Sequence, residues 1–282
     1  MKNAADCYTL SNGVGIPCIG LGTWQTDGAT TRKAIHAALE AGYRLIDTAA
    51  AYGNESSVGE AILTSGFRRE DIFLTSKLRN ACHGYDATME AFELTLKRLR
   101  TDYLDLYLIH WPNPVQYRTT WREATLGTWR AFTEMYAAGR IKAIGVSNFM
   151  PHHIDMLFNE TGVMPMVDQL KLCPGITQSD TVAYCREHGI LAEAYSPFGT
   201  GGIFRSPEMA ALKEKYGRTV GQICLRWCLD MGYLPLPKSA SPDRIKENLD
   251  IFGFTLDRED LTMIAELKGY CGEAPVPDEI TF

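Results

Sequence analysis

The chain has 282 residues, 45% of them hydrophobic and 22% charged, and carries a formal net charge of −6. This composition supplies a sizeable core and excludes a disordered chain, and the lack of a basic block argues against a nucleic-acid-binding face. No stretch reaches the roughly 18 apolar residues of a membrane span, the start "MKNAADCYTL" lacks the apolar segment of a signal peptide, and the eight cysteines form no CxxC pair, so a cytoplasmic protein with reduced thiols is expected.

The first expected element is a hairpin. In "YTLSNGVGIP", Asn12-Gly13 lies between two short β-prone runs, the signal of a two-residue turn. A strand follows at 18–22, "CIGLG". Then a rhythm sets in: a helix-like stretch ends in glycine and a β-rich run begins directly, as in "ALEAGYRLID", "MYAAGRIKAIGVS", "CREHGILAEAYS" and "CLDMGYLPLPKS". Glycine just past a helix accepts the left-handed conformation that closes the last turn. The continuous apolar run after it suits a strand buried on both faces. Further strands are expected at 43–47, 72–77, 103–109, 141–146, 165–169, 190–195 and 233–237. Helices separate them; "DATMEAFELTLKRL" sets Met89, Phe92, Leu96 and Leu99 on one face. An added amphipathic helix at 256–269 and the tail "YCGEAPVPDEITF" complete the chain.

Eight strands alternating with helices predict parallel pairing through right-handed crossovers. We expect an α/β protein: one (β/α)8 TIM barrel over 1–282, plugged at its N-terminal end by the hairpin. An open doubly wound sheet would carry GxGxxG after its first strand, and "GLGTW" lacks the third glycine.

In such barrels chemistry sits at the C-terminal ends of the strands. There the sequence places Asp47, Lys77, His110, Ser147, Asn148, Gln169, Tyr195, Lys238 and Ser239, with Tyr52 five positions after Asp47 in "DTAAAYGNE". Each has a plain alternative: Asp47 as a cap, Tyr52 as a loop tyrosine, Lys77 as a solvated strand end, His110 as a core histidine. Four titratable types at adjacent strand ends point instead to acid–base chemistry. Lys77 beside Asp47 makes an ion pair, and a cation near the Tyr52 hydroxyl lowers a phenol pKa that is ordinarily about 10. That phenol can pass a proton to a developing alkoxide, with His110 orienting the carbonyl. The set lacks an electron source, and hydride from a nicotinamide is the simple partner.

The chain resembles the aldo-keto reductases over essentially its whole length. The resemblance rests on "GLGTW" (20–24), "GYRLIDTAAAYGNE" (42–55), "LTSKL" (74–78), "YLIHWP" (107–112), "IGVSNF" (144–149), "AYSPFG" (194–199) and "LPKSASPDRIKEN" (236–248), in family order. It is most similar to the prokaryotic-type branch acting on small aldehydes, diketo sugar acids and ketoesters. The resemblance implies a catalytic set of Asp47, Tyr52, Lys77 and His110, with Tyr52 the general acid. It implies NADPH/NADP+ as cofactor: Ser147, Asn148 and Gln169 on the carboxamide, Tyr195 stacked on the nicotinamide, and Ser196 and Phe198 along the pyrophosphate. Gly22, Thr23 and Trp24 border the cofactor, Lys238, Ser239, Ser241 and Arg244 grip the 2′-phosphate, and Glu247 and Asn248 meet the adenine.

Lys238 and Arg244 suit phosphate, and Ser241-Pro242 equally reads as a helix start. The glycine-rich loop 199–207 is implied to close over the pyrophosphate. Trp24, Tyr52, His110 and Trp111 are implied to wall the substrate pocket, Asn113 and the loop to about Tyr117 to border it, and the tail from Tyr270 to set specificity.

The sequence departs from the family pattern at Asp168, Lys171 and Cys173, where Asn, Glu and His are usual. The adjacent His152 and His153 lack a carboxylate or cysteine at fitting spacing, so no metal is assigned. The expected partner is a small carbonyl substrate, and no apolar strand edge asks for a protein partner, so a monomer is expected. The alternative is a nucleotide-binding regulatory subunit on the same fold, with little catalysis.

Overall fold

The computed structural model describes residues 1–282. Strands β1 (Cys7–Thr9) and β2 (Gly15–Pro17) form the antiparallel hairpin. Its turn is longer than the expected two residues: the Leu10 N–H donates to Val14 O at 2.9 Å, leaving Ser11, Asn12 and Gly13 in the loop. Asn12 accounts for the difference. Its Oδ1 accepts the Val14 N–H at 3.1 Å and its Nδ2 donates to Lys142 O at 2.9 Å, so it serves the loop and the barrel floor together.

Eight parallel strands follow: β3 (Gly20–Gly22), β4 (Leu45–Asp47), β5 (Phe73–Leu78), β6 (Leu104–Ile109), β7 (Ile141–Ser147), β8 (Val167–Lys171), β9 (Leu191–Tyr195) and β10 (Leu234–Leu236). Their spatial order runs β10 to β3 in sequence. The Gly22 N–H donates to Pro237 O at 2.9 Å and closes the ring. Closure needs glycine at position 20, where a Cβ would lie 1.9 Å from a Leu45 methyl and 2.7 Å from one of Leu236. The expected strands fall within two residues of those observed; β8 is shifted furthest, taking in Lys171. Lys142 is the second residue of β7 and Tyr233, whose carbonyl accepts the Tyr8 hydroxyl, precedes β10, so the hairpin covers the N-terminal end as expected.

The helices obey local rules. Gly28–Ala41 ends at Gly42, φ 116°, whose N–H returns to Ala38 O at 3.0 Å. Tyr85–Leu99 buries Phe92, Leu96 and Leu99, with Met89 half-buried. Val220–Asp230 opens on a reciprocal cap between Thr219 and Gln222. The added helix is Arg258–Glu266, shorter than expected because Leu267 turns to an extended conformation and starts the tail. No helix is long and apolar enough to cross a membrane.

Candidate active site

β4 delivers Asp47 to the C-terminal rim, and a short 3-10 turn, Ala50–Tyr52, closed by Gly53 at φ 71°, swings Tyr52 back over it. Lys77 comes from the adjacent β5. Its Nζ donates to Asp47 at 2.7 and 2.8 Å, to Thr48 O at 3.0 Å and to the Tyr52 hydroxyl oxygen at 3.3 Å. The two charged side chains are 1% and 6% exposed. Burial disfavours the charge on Lys77, but Asp47 and then Tyr52 together outweigh it and hold the ammonium above its ordinary range. His110 follows β6, with its ring edge-on to Tyr52, 5.9 Å between centroids. Burial, then the Lys77 charge, push it down to about 3, so it is a neutral imidazole at neutral pH.

One expectation fails. Lys77 does pull the Tyr52 phenol toward ionisation, but burial and then the Asp47 charge act against it, and Tyr52 rises above its ordinary value. The sequence discloses the cation but not the dryness of its surroundings. Tyr52 therefore keeps its proton at neutral pH.

On the other side of the rim, the Ser147 hydroxyl donates to Gln169 O at 2.8 Å. Asn148 Nδ2 donates to Ser147 Oγ at 3.0 Å and to His110 O at 3.2 Å, and the Tyr195 hydroxyl donates to Asn148 Oδ1 at 2.9 Å. Asn148 (φ 61°) and Ser196 (φ 51°) both hold a left-handed backbone, which non-glycine residues adopt at some cost and mostly at functional sites. Gln169 Nε2 donates to Asp47 Oδ1 at 2.9 Å and to Glu193 Oε2 at 2.8 Å, joining the two sides. Glu193 went unread in the sequence; the available signal was a lone acid inside a strand expected to be buried on both faces.

The three departures have distinct fates. Asp168 is fully buried; one oxygen accepts the Phe149 N–H at 3.4 Å, the other has no partner, and burial holds its carboxyl well above the ordinary range. Lys171 Nζ donates to Cys271 O and Glu273 O, both at 2.9 Å, and pins the tail to the rim. Cys173 is a buried free thiol close to that of Cys271. The loop 199–207 is ordered as a kinked 3-10 segment, Gly199–Arg205. It lies so close to the tail that a Cβ on Gly199 would sit 2.2 Å from Cys271 Sγ, and one on Gly202 1.8 Å from Tyr270 O.

The remaining expected residues form a strip leading away from the rim. A Cβ on Gly22 would lie 3.7 Å from Lys238 Cβ, so the ends of β3 and β10 meet. The Ser239 hydroxyl oxygen accepts the Ser241 N–H at 3.1 Å, and the Ser241 hydroxyl caps the helix Pro242–Glu247. Lys238 and Arg244 are exposed and form no ion pair with the protein. Gly221 lies between Asn248 and Phe198, where a Cβ would meet them at 3.7 and 3.8 Å, and Glu247 accepts the Thr219 hydroxyl at 2.8 Å. Two uncommitted cations amid hydroxyls and backbone suit a phosphate ester.

At the mouth, Trp24 is 47% exposed, and Trp111 meets the Phe282 ring edge-on at 5.3 Å between centroids. Thr23 is buried, its hydroxyl donating to Asp47 O at 3.0 Å.

The sequence profile described as the Aldo/keto reductase family matches residues 18–268. The chain belongs to the aldo/keto reductase family. Glyoxal reductase of Bacillus subtilis (strain 168) is 43% identical over 278 residues, covering 98% of each chain. Methylglyoxal reductase DkgA of Escherichia coli (strain K12) is 42% identical over 272 residues, covering 96% of each. The Bombyx mori aldo-keto reductase structure in complex with NADP shares 36% identity at a TM-score of 0.85, covering 93% of this chain and 92% of that one.

One juxtaposition in this aldo/keto reductase was invisible in the sequence. Asp278, in the tail, accepts Asn113 Nδ2 at 3.0 Å and meets His153 Nε2 at 3.0 Å and His152 Nε2 at 3.1 Å. The two histidines thus do have a carboxylate neighbour, supplied by the fold across 125 residues. His153 Nδ1 accepts the Met150 N–H at 3.0 Å, so its Nε2 carries the proton and donates to Asp278. This is the donor pattern of a tail clasp; a metal on Nε2 would need the opposite tautomer.

Proposed function

We propose that the protein reduces small aldehydes and ketones, including adjacent dicarbonyls, to alcohols, with NADPH as hydride donor. Family membership makes it an NADP-dependent oxidoreductase, and the names of the glyoxal and methylglyoxal reductases support the small-carbonyl class. One observation carries the chemistry: a buried ammonium, held by Asp47, has the Tyr52 hydroxyl at 3.3 Å.

When bound, the reduced nicotinamide supplies a hydride to the carbonyl carbon. The protein's own groups manage the oxygen. Tyr52 holds its proton at neutral pH and donates it to that oxygen as negative charge builds there. Lys77 stabilises the phenolate left behind, and Asp47 keeps Lys77 charged and aimed. Neutral His110 hydrogen-bonds the same oxygen without competing as an acid. Ser147, Asn148 and Gln169 would hold the carboxamide, with Tyr195 against the ring. Gly22, Thr23 and Trp24 would border the cofactor, and Ser196 and Phe198 would follow the pyrophosphate. Lys238, Ser239, Ser241 and Arg244 would take the 2′-phosphate that distinguishes NADPH from NADH, with Glu247 and Asn248 at the adenine. Trp24 and Trp111 would flank the substrate.

The decisive measurement is the loss of NADPH absorbance with methylglyoxal or a simple ketoester. Tyr52→Phe should abolish turnover while NADPH still binds. Full activity in that variant overturns the mechanism, and no NADPH oxidation by the wild type with any small carbonyl overturns the function.

A further inference from the structure

Glu193 lies in the middle of β9 with no solvent exposure. One carboxyl oxygen accepts Gln169 Nε2 at 2.8 Å; the other has no partner. A buried carboxylate needs a cation of its own. The groups facing it are Gln169 from β8, Asp47 from β4 and Lys77 from β5; the neighbouring acid Asp168 lies on the opposite face of β8, and the register partner on β10 is the apolar Leu234. Lys77 is the cation of this set, and it is committed to Asp47 through two hydrogen bonds. Burial, then the Asp47 charge, push Glu193 up to about 8.

The hydrogen-bond count fixes Gln169. Its amide nitrogen has two hydrogens; one goes to Asp47 Oδ1 at 2.9 Å and the other to Glu193. A flipped amide would set its oxygen against the Asp47 carboxylate. Only the Gln169 oxygen remains for any ligand.

We propose that Glu193 is a positioning residue for carbonyl reduction: as a neutral acid it locks Gln169 onto Asp47, reserves the Gln169 oxygen for the carboxamide, and keeps a second negative charge away from the Lys77–Asp47–Tyr52 chain. The inference rests on the carbonyl-reductase reading. Ionised Glu193 would set that charge beside Asp47. This raises the Tyr52 phenol further and opposes the negative charge that reduction builds on the substrate oxygen. Both effects make alkali inhibitory.

The test uses the full-length protein as wild type, E193Q and E193L, with two readouts. The first is kcat and KM for methylglyoxal and NADPH against pH. The second, without substrate, is the near-ultraviolet phenolate titration of Tyr52, taken as the difference between each protein and its Tyr52→Phe counterpart. The wild type should lose kcat above pH about 8, and E193Q, a permanently neutral acceptor of the same shape, should lose that alkaline limb. E193L should fall roughly tenfold or more in kcat at every pH, and E193Q should recover most of that loss. Tyr52 should ionise about half a pH unit or more lower in E193Q than in the wild type.

An alkaline limb and a Tyr52 titration in E193Q identical to wild type overturn the proposal, as does an E193L enzyme with wild-type kinetics. If E193L does not fold, E193Q alone decides. If no protein oxidises NADPH, the carbonyl-reductase reading fails, and the Tyr52 titration still decides whether Glu193 sets the charge on the phenol.

Discussion

Lys77 and the pair Lys238–Arg244 are cations on the same rim with opposite circumstances. Lys77 is buried and donates to Asp47, Thr48 and Tyr52. Lys238 and Arg244 are exposed and have no anion of the protein's own. A cation already satisfied inside the fold cannot bind a ligand; it can only bias the proton of a neighbour. A cation left without a partner is available for an external phosphate and is screened by salt. Charge alone does not separate a tuning residue from a binding one; the count of committed hydrogen bonds does.

The comparison is broken most severely by Lys77→Met. This leaves Asp47 buried without its cation, which typically costs about 3–5 kcal/mol of stability. Tyr52 also loses its bias, and kcat should fall by roughly a hundredfold or more. Thermal melting and NADPH-oxidation assays read the two losses separately, and unchanged kcat would sink the tuning role. Arg244→Ala should act only on binding: NADPH affinity falls by about tenfold or more, NADH affinity stays put, and the salt dependence of NADPH binding becomes shallower. Fluorescence titration with both nucleotides at two ionic strengths checks this, and a parallel loss for NADH would count against a 2′-phosphate contact.

The smallest effect sharpens the contrast from the side of an acid with no cation. Asp168 is fully buried and its carboxyl is held well above the ordinary range. Below pH about 4 both folded and unfolded chains carry that proton; as pH rises, the unfolded chain ionises first and the wild type loses stability until the folded-state value is passed. Asp168→Asn has nothing to titrate there. Its stability advantage, read from thermal melting, should therefore grow from pH about 4 toward neutrality, reaching on the order of 1 kcal/mol. An advantage independent of pH would show that Asp168 is charged, or paired, in the native state.

The barrel was legible because four of the strands, β4, β7, β9 and β10, follow a glycine that ends a helix, and because rim residues interrupt apolar runs at their C-terminal ends. Asp47, Lys77 and His110 could be placed on adjacent strands from that pattern alone. Glu193 was not legible, because alternation inside a strand buried on both faces does not say which side lines the barrel. Asp278 could not be linked to His153 across 125 residues of chain. The charge state of Tyr52 escaped for another reason: its sign is a contest between burial and Lys77, and a sequence discloses the second participant only.

Lys171 holds the tail at Cys271 and Glu273, and Gly199 and Gly202 press the segment over the expected pyrophosphate path against the same stretch. The tail and the segment Gly199–Arg205 are therefore anchored at one place, and neither can be rebuilt there without displacing the other. A bulkier or longer tail at Tyr270–Glu273 would push directly on Gly199 and Gly202, so a redesign of either stretch has to be made as a redesign of both.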